Sequence, residues 1–127
     1  MRKRTILIVS TPSLSRILEH LFRGRAEFEI VGTLTSLACL GQATRLVPEL
    51  IVADVKPVTI GINRAVSLIK RSSPISKLIL ICPVEDLAQA ARKCGADACL
   101  SNERLAGSLV RTARALTERR RMVNAGK

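Results

Sequence analysis

Short runs of β-branched and aliphatic residues alternate along the chain with longer stretches of helical periodicity. Thr5-Ile6-Leu7-Ile8-Val9 is apolar throughout, as expected of a strand buried on both faces. Leu14, Ile17, Leu18, Leu21 and Phe22 then recur at the spacing of one face of an amphipathic helix, and Gly24 supplies a stop signal. Residues 28–34 read as a second strand, 37–47 as a helix ended by Pro48, and 50–53 as a third strand stopping at Asp54. Ile62, Val66 and Ile69 mark a helix closed by Ser72-Ser73-Pro74. A fourth strand is expected at 77–82, a helix at 84–94 stopping at Gly95, and a short fifth strand at 98–100. Leu105, Leu109, Val110, Ala113 and Leu116 face one side of a last helix that runs into Arg119-Arg120-Arg121.

Five strands thus alternate with five helices. Strands apolar on both faces suit a parallel sheet covered by helices. Right-handed crossovers then leave few topologies, and the expected one is an α/β, flavodoxin-like, doubly wound (βα)5 three-layer sandwich with strand order 2-1-3-4-5. In such a fold the functional crevice lies at the carboxyl ends of the strands, where the order reverses, here between strands one and three. Ser10, Thr11 and Asp54 occupy those ends, Cys82 ends strand four, and Ser101 and Asn102 end strand five. The length fits one domain, read as 1–118, with 119–127 a basic tail or the start of a linker.

Composition removes several classes. Hydrophobic residues make up 47%, which argues against disorder, and the longest apolar runs are too short to span a bilayer. The basic start, Met1-Arg2-Lys3-Arg4, is followed by only five residues before Ser10 and Pro12 break the run, so neither a signal peptide nor a membrane partner is expected and the chain reads as cytoplasmic. Cys39, Cys82, Cys94 and Cys99 have no Cys-x-x-Cys spacing, and the single histidine, His20, is distant in sequence. They read as small buried thiols in a reducing compartment and not as a metal site.

A net charge of +11 points to an acidic partner such as nucleic acid, but it is unevenly placed. Residues 2–4 and 111–127 hold nine of the 21 Lys and Arg against one acid, Glu118, whereas 5–110 carry 12 cations against nine acids. Phe22 and Phe28 are the only aromatic residues, too few for a single-strand stacking surface.

Over roughly residues 5–118 the chain resembles response-regulator receiver domains. The resemblance is carried by Ile6-Leu7-Ile8-Val9, by Pro48-Glu49-Leu50-Ile51-Val52-Ala53-Asp54-Val55-Lys56-Pro57, by Lys77-Leu78-Ile79-Leu80-Ile81 and by Gly95-Ala96-Asp97-Ala98-Cys99-Leu100. The final helix is similar to those of receivers that precede a helix-turn-helix DNA-binding domain, the NarL/LuxR type. The resemblance implies a phosphoacceptor at Asp54. It also implies an acid pair where Ser10 and Thr11 stand, a Ser or Thr where Cys82 stands, and a lysine where Asn102 stands. Pro57 follows Asp54 by three positions and not the family's four. Of five site positions only Asp54 is kept.

These departures bear on the chemistry. Phosphoryl transfer is catalysed mainly by positioning and by neutralising the equatorial oxygens, largely through magnesium. One carboxylate with two hydroxyls offers that ion a formal charge of −1 in place of −3, so Mg2+ binding is expected to be weak or absent, with no other cofactor. Loss of the lysine removes a fixed charge of a kind worth about 3 kcal/mol at a transition state. Lys56, Glu85, Asp86 and Glu103 are the charged groups nearby in sequence that could substitute. The replacements suit a structural role instead. Thr11 can cap the first helix with Pro12 at its first position, Pro83 can begin the fourth, and Asn102 can cap the fifth with Glu103 in its first turn.

The expected function is that of an atypical, phosphorylation-impaired receiver that is not an enzyme. It would act through protein contacts and could govern a DNA-binding output domain not contained in this chain. A sensor histidine kinase is a possible partner. A homodimer would form through the face of the fourth helix, fifth strand and last helix, with Leu87, Ala91, Leu105, Leu109 and Arg111 as candidate contacts. The alternatives are a working phosphoacceptor receiver and a basic nucleic-acid-binding module on the same fold. An FMN-binding flavodoxin fits poorly, because the first loop has Pro12 and no glycine and no Trp or Tyr is present to stack on a flavin.

Overall fold

The computed structural model describes residues 3–35, 41, 45, 47–54, 62–82 and 95–118. Five strands, β1 (Arg4–Val9), β2 (Phe28–Leu34), β3 (Leu50–Asp54), β4 (Lys77–Cys82) and β5 (Ala98–Ser101), form one parallel sheet in the order β2-β1-β3-β4-β5. The expected doubly wound order is therefore the observed one. The register slips once, between Ile6 and Leu7, where β2 contributes an extra residue.

Both faces of the sheet are covered. The helices α1 (Pro12–Phe22) and α3 (Leu105–Thr117) pack on one face, where Ile6, Ile8, Val52, Ile79 and Ile81 meet Leu18, Phe22, Leu109 and Ala113. The helix α2 (Ile62–Ser72) packs on the other, its Val66 and Ile69 against Leu7, Ile51, Leu78 and Leu80. The strand interiors of β1, β3 and β4 are buried residue after residue, which is why their sequences do not alternate. Phe22 and Phe28 meet edge to face at 5.1 Å, and the Arg4 guanidinium lies 5.9 Å from the Phe28 ring centre.

Several expectations need correction. Ile17 was expected on the buried face of α1, yet it is 53% exposed, and Ser15 is buried with Leu18 and Phe22 instead. The helix is rotated because the Ser15 hydroxyl turns in to meet Ser10. The helix expected over 37–47 falls mostly outside the described residues. Val47, however, has φ +49 and is not helical, consistent with the bar that Pro48 places on helical geometry before it. The helix expected at 84–94, with Pro83 at its start, lies outside the described residues. Leu105 and Leu109 are core residues, 5% and 0% exposed, and so contribute no surface to an interaction face. Leu87 and Ala91 lie outside the described residues, and Arg111 is exposed with its guanidinium donating to the Gly107 carbonyl one turn back.

Two ion pairs tie the helices to the amino ends of the strands. Lys70 of α2 pairs with Asp97, whose carboxylate also accepts from the Leu78 amide, and Lys70 donates to the Ser76 carbonyl. Arg114 of α3 donates from Nε to Glu27 at 2.7 Å. That hydrogen bond holds the Glu27 carboxyl below the usual carboxylate range. A depressed folded-state value means that the pair contributes at pH above the ordinary carboxylate value and is lost as pH falls through the lowered one.

Two outcomes follow from this packing. Leu109→Ala should cost about 2–5 kcal/mol in urea denaturation, the cost of a core cavity, where a surface position would cost almost nothing. In Arg114→Ala, the Glu27 carboxyl should titrate higher by carbon-13 NMR; an unmoved titration would show that the pair is not formed in solution.

Candidate functional site

Parallel pairing brings four strand ends to one edge. Val9 pairs with Ala53, Asp54 with Ile81, and Cys82 with Ser101, so Ser10, Asp54, Cys82 and Asn102 all stand at the carboxyl edge. The structure therefore assembles the five positions that the sequence singled out, with Thr11 beside Ser10. Asp54 is the last residue of β3 and only 4% exposed.

The first loop is closed on itself. Ser10 is fully buried, and its backbone amide donates to the Leu34 carbonyl at 2.8 Å. Its hydroxyl lies 2.6 Å from that of Ser15 and 3.1 Å from the Thr11 carbonyl. Thr11 is the N-cap of α1, its side chain accepting from the Leu14 amide at 3.5 Å, with Pro12 as the first helical residue. The capping role expected of Thr11 is thus observed. Neither hydroxyl carries charge, and no acidic residue lies in the first turn of α1.

At the other end of the edge, Asn102 does not cap the last helix. It opens a 3-10 turn, Asn102–Arg104, whose N-cap is Ser101 without a side-chain hydrogen bond. Arg104 then occupies the N-cap position of α3, and its side chain does not make the capping hydrogen bond. The 3-10 turn spends the three residues that an immediate α-helical start would have used, which moves the cap from Asn102 to Arg104. Asn102 and Glu103 are exposed. The Ser101 hydroxyl is fully buried and makes no hydrogen bond.

Cys82 and Cys99 are buried on one face of the sheet, as expected; Cys39 and Cys94 lie outside the described residues. Among the described residues no three His, Cys, Asp or Glu side chains come together as a metal site. Lys56, Glu85 and Asp86, the sequence's candidates for substitute charges, are outside the described residues, and Glu103 faces solvent. Sequence reasoning placed Ser101 at the end of strand five but missed Ser15, whose signal was its place four residues after Thr11 on the inner side of a helix.

Thr11→Ala should destabilise the fold by about 1 kcal/mol in chemical denaturation through loss of the cap, and Thr11→Ser should restore most of it.

A scan of the sequence against protein-family models finds no match, and a search of curated proteins finds none. Solved structures do match. A LuxR-family two-component response regulator from Aurantimonas sp. SI85-9A1 superposes with a TM-score of 0.77 at 17% identity, over 92% of this chain and 86% of that one. The response regulator domain of Thermotoga maritima CheB gives 0.78 at 17% identity, over 93% and 98%. The Salmonella typhimurium RcsB response regulator, whose structure concerns conformational dynamism for DNA interaction, gives 0.81 at 14% identity, over 93% and 61%. The chain has the fold of response-regulator receiver domains, over nearly its whole length.

Proposed function

We propose that this chain is a receiver domain of a two-component response regulator, impaired in phosphorylation, that works through protein–protein contacts and not as an enzyme. The closed first loop carries this reading. Where the receiver resemblance implies two carboxylates for a metal ion, the Ser10 hydroxyl is buried against Ser15 and Thr11 caps a helix. A divalent cation there would find Asp54 as the one carboxylate among the five positions. The cost of stripping Mg2+ of water is then poorly offset. Asn102 supplies no positive charge to phosphoryl oxygens, and Cys82 is fully buried.

Partners follow from the same reading. A sensor kinase would recognise the receiver frame, and an output domain would follow residues 119–127, which we read as a basic linker. Likeness to a LuxR-family regulator and to RcsB supports an output that acts on DNA. Two copies would pair through the fourth-helix, β5 and α3 face. On α3 its surface is Ala106, Gly107 and Arg111, since Leu105 and Leu109 are core. A reducing cytoplasm suits the buried cysteines Cys82 and Cys99. Among the described residues no helix is long and apolar enough to cross a membrane.

A working phosphoacceptor is the second reading, favoured by the retention of Asp54 at the end of β3 beside β1, where the strand order reverses. Intact mass after incubation with acetyl phosphate and Mg2+ separates the two. No added phosphoryl group is expected, in the wild type or in an Asp54→Ala control. A single addition absent from the control would establish the second reading. Isothermal titration with MgCl2 should likewise show no sub-millimolar binding.

A further inference from the structure

The two edges of the sheet differ in charge. Residues 10–11, 54, 82 and 101–104, which close the carboxyl ends of four strands, hold Asp54, Glu103 and Arg104. The amino edge is basic. Lys3 and Arg4 lead into β1, Arg23 and Arg25 flank Gly24 in the α1–β2 turn, Arg71 ends α2, and Lys77 opens β4. All but Arg4 of these six are exposed. Of the acids at this edge, Glu27 and Asp97 are each engaged by a further cation, Arg114 and Lys70, Glu19 of α1 accepts from the Thr33 hydroxyl, and Glu29 near the start of β2 is exposed. Glu49 is half-buried, and Glu118 is exposed at the end of α3.

Part of this pattern is ordinary. Helix C-termini lie at the amino edge of a parallel sheet, and cations there offset the negative ends of the helix dipoles. Lys70 and Arg71 of α2 and Arg114 of α3 sit in last turns and meet that need. Lys3, Arg25 and Lys77 lie in no helix, and dipole compensation does not account for them. Lys3, Arg23 and Arg25 also line, with Glu19, a groove of about 690 Å3 beside Phe28 and Ile30, so three cationic residues and one acid border one concavity.

We propose that the amino edge of the sheet docks the sugar–phosphate backbone of double-stranded DNA, independently of base sequence, with Lys3, Arg23, Arg25, Arg71 and Lys77 as phosphate contacts. This goes beyond the receiver reading and holds whether or not Asp54 carries a phosphoryl group. A duplex presents a dense, rigid array of phosphates, which a spread of fixed cations can match by displacing counterions. Arginine forks bind phosphate oxygens two at a time. A single strand is a poorer fit, because Phe22 and Phe28, the chain's only aromatics, are buried and give bases nothing to stack on. A lipid surface is also a poorer fit. The exposed large apolar side chains at this edge, Val47 and Ile75, are separate loop residues and not an amphipathic face.

The test is fluorescence anisotropy of the full chain with a labelled DNA duplex across a salt series. Micromolar binding at low salt is expected, with log K falling by about four per decade of salt. Arg23→Glu/Arg25→Glu should weaken binding at least tenfold and reduce the slope by about two. Arg16→Glu/Arg104→Glu makes the same change in net charge away from the amino edge and should leave affinity within about twofold. Circular dichroism confirms that each variant is folded. Equal losses in the two doubles would mean that only net charge matters and would overturn the proposal. So would loss confined to an Arg119→Ala/Arg120→Ala/Arg121→Ala variant, which would assign binding to the basic tail. Binding to phosphatidylglycerol vesicles without binding to the duplex would overturn it too, as would no duplex binding at low salt.

Discussion

Burial of the sheet on both faces constrains everything else in this molecule. Ile6–Val9, Leu50–Ala53 and Leu78–Cys82 are no more than 2% exposed, so the interiors of the three inner strands have no room for an unpaired polar group. Polar chemistry is driven to the strand ends. A parallel sheet makes those ends unlike: all carboxyl termini open on one edge and all amino termini on the other. Each edge can therefore change independently of the core, and in this chain both bear residues that the core does not require.

The carboxyl edge gathers the strand ends with Ser10, Thr11 and Asn102 where the receiver resemblance implies charged groups. The pairings of Val9 with Ala53, Asp54 with Ile81 and Cys82 with Ser101 still bring the strand ends together. The side chains there have turned to local work. Ser10 and Ser15 satisfy one another inside the fold, which costs less than burying a carboxylate at the same fully enclosed position. Thr11 satisfies an amide of the first turn of α1. A hydroxyl can serve such a bond and stay buried, whereas an acid pair is tolerable at this depth only with a cation to neutralise it.

The fold was legible in the sequence because its strongest signals are long-range in effect but local in form. Uninterrupted aliphatic runs at β1, β3 and β4 mark a two-sided sheet, and Gly24 at φ +82 ends the turn after α1 as its position suggested. Where Ser10, Asp54, Cys82 and Asn102 stand was legible for the same reason, since each ends a strand or directly follows one. Less legible was anything set by rotation about a helix axis. Ile17 is exposed where periodicity placed it inside, and Ser15 is buried with its hydroxyl against Ser10. Leu105 and Leu109 were read as both core and surface, and only packing against Ile79, Ile81 and Leu100 decides for the core. The start of α3 depended on whether a 3-10 turn precedes it, and no residue type announces that.

Charge is the property that the sequence shows in amount but not in place. The net +11 and the excess at the termini are plain from composition, and they suggest a basic tail on a nearly neutral body. Folding redistributes that reading. Lys3, Arg23, Arg25, Arg71 and Lys77 are separated by up to 74 positions in the numbering, yet parallel topology sets them all at the amino ends of strands or the carboxyl ends of helices. Meanwhile Arg114 and Lys70 draw off Glu27 and Asp97, acids that a count along the chain would set against the other cations. A net charge of +3 over residues 5–110 therefore does not describe a uniformly weak field: Arg23, Arg25, Arg71 and Lys77 gather at the amino edge, where Glu27 and Asp97 are already engaged by Arg114 and Lys70, and that local excess of cations is what an anionic partner would meet.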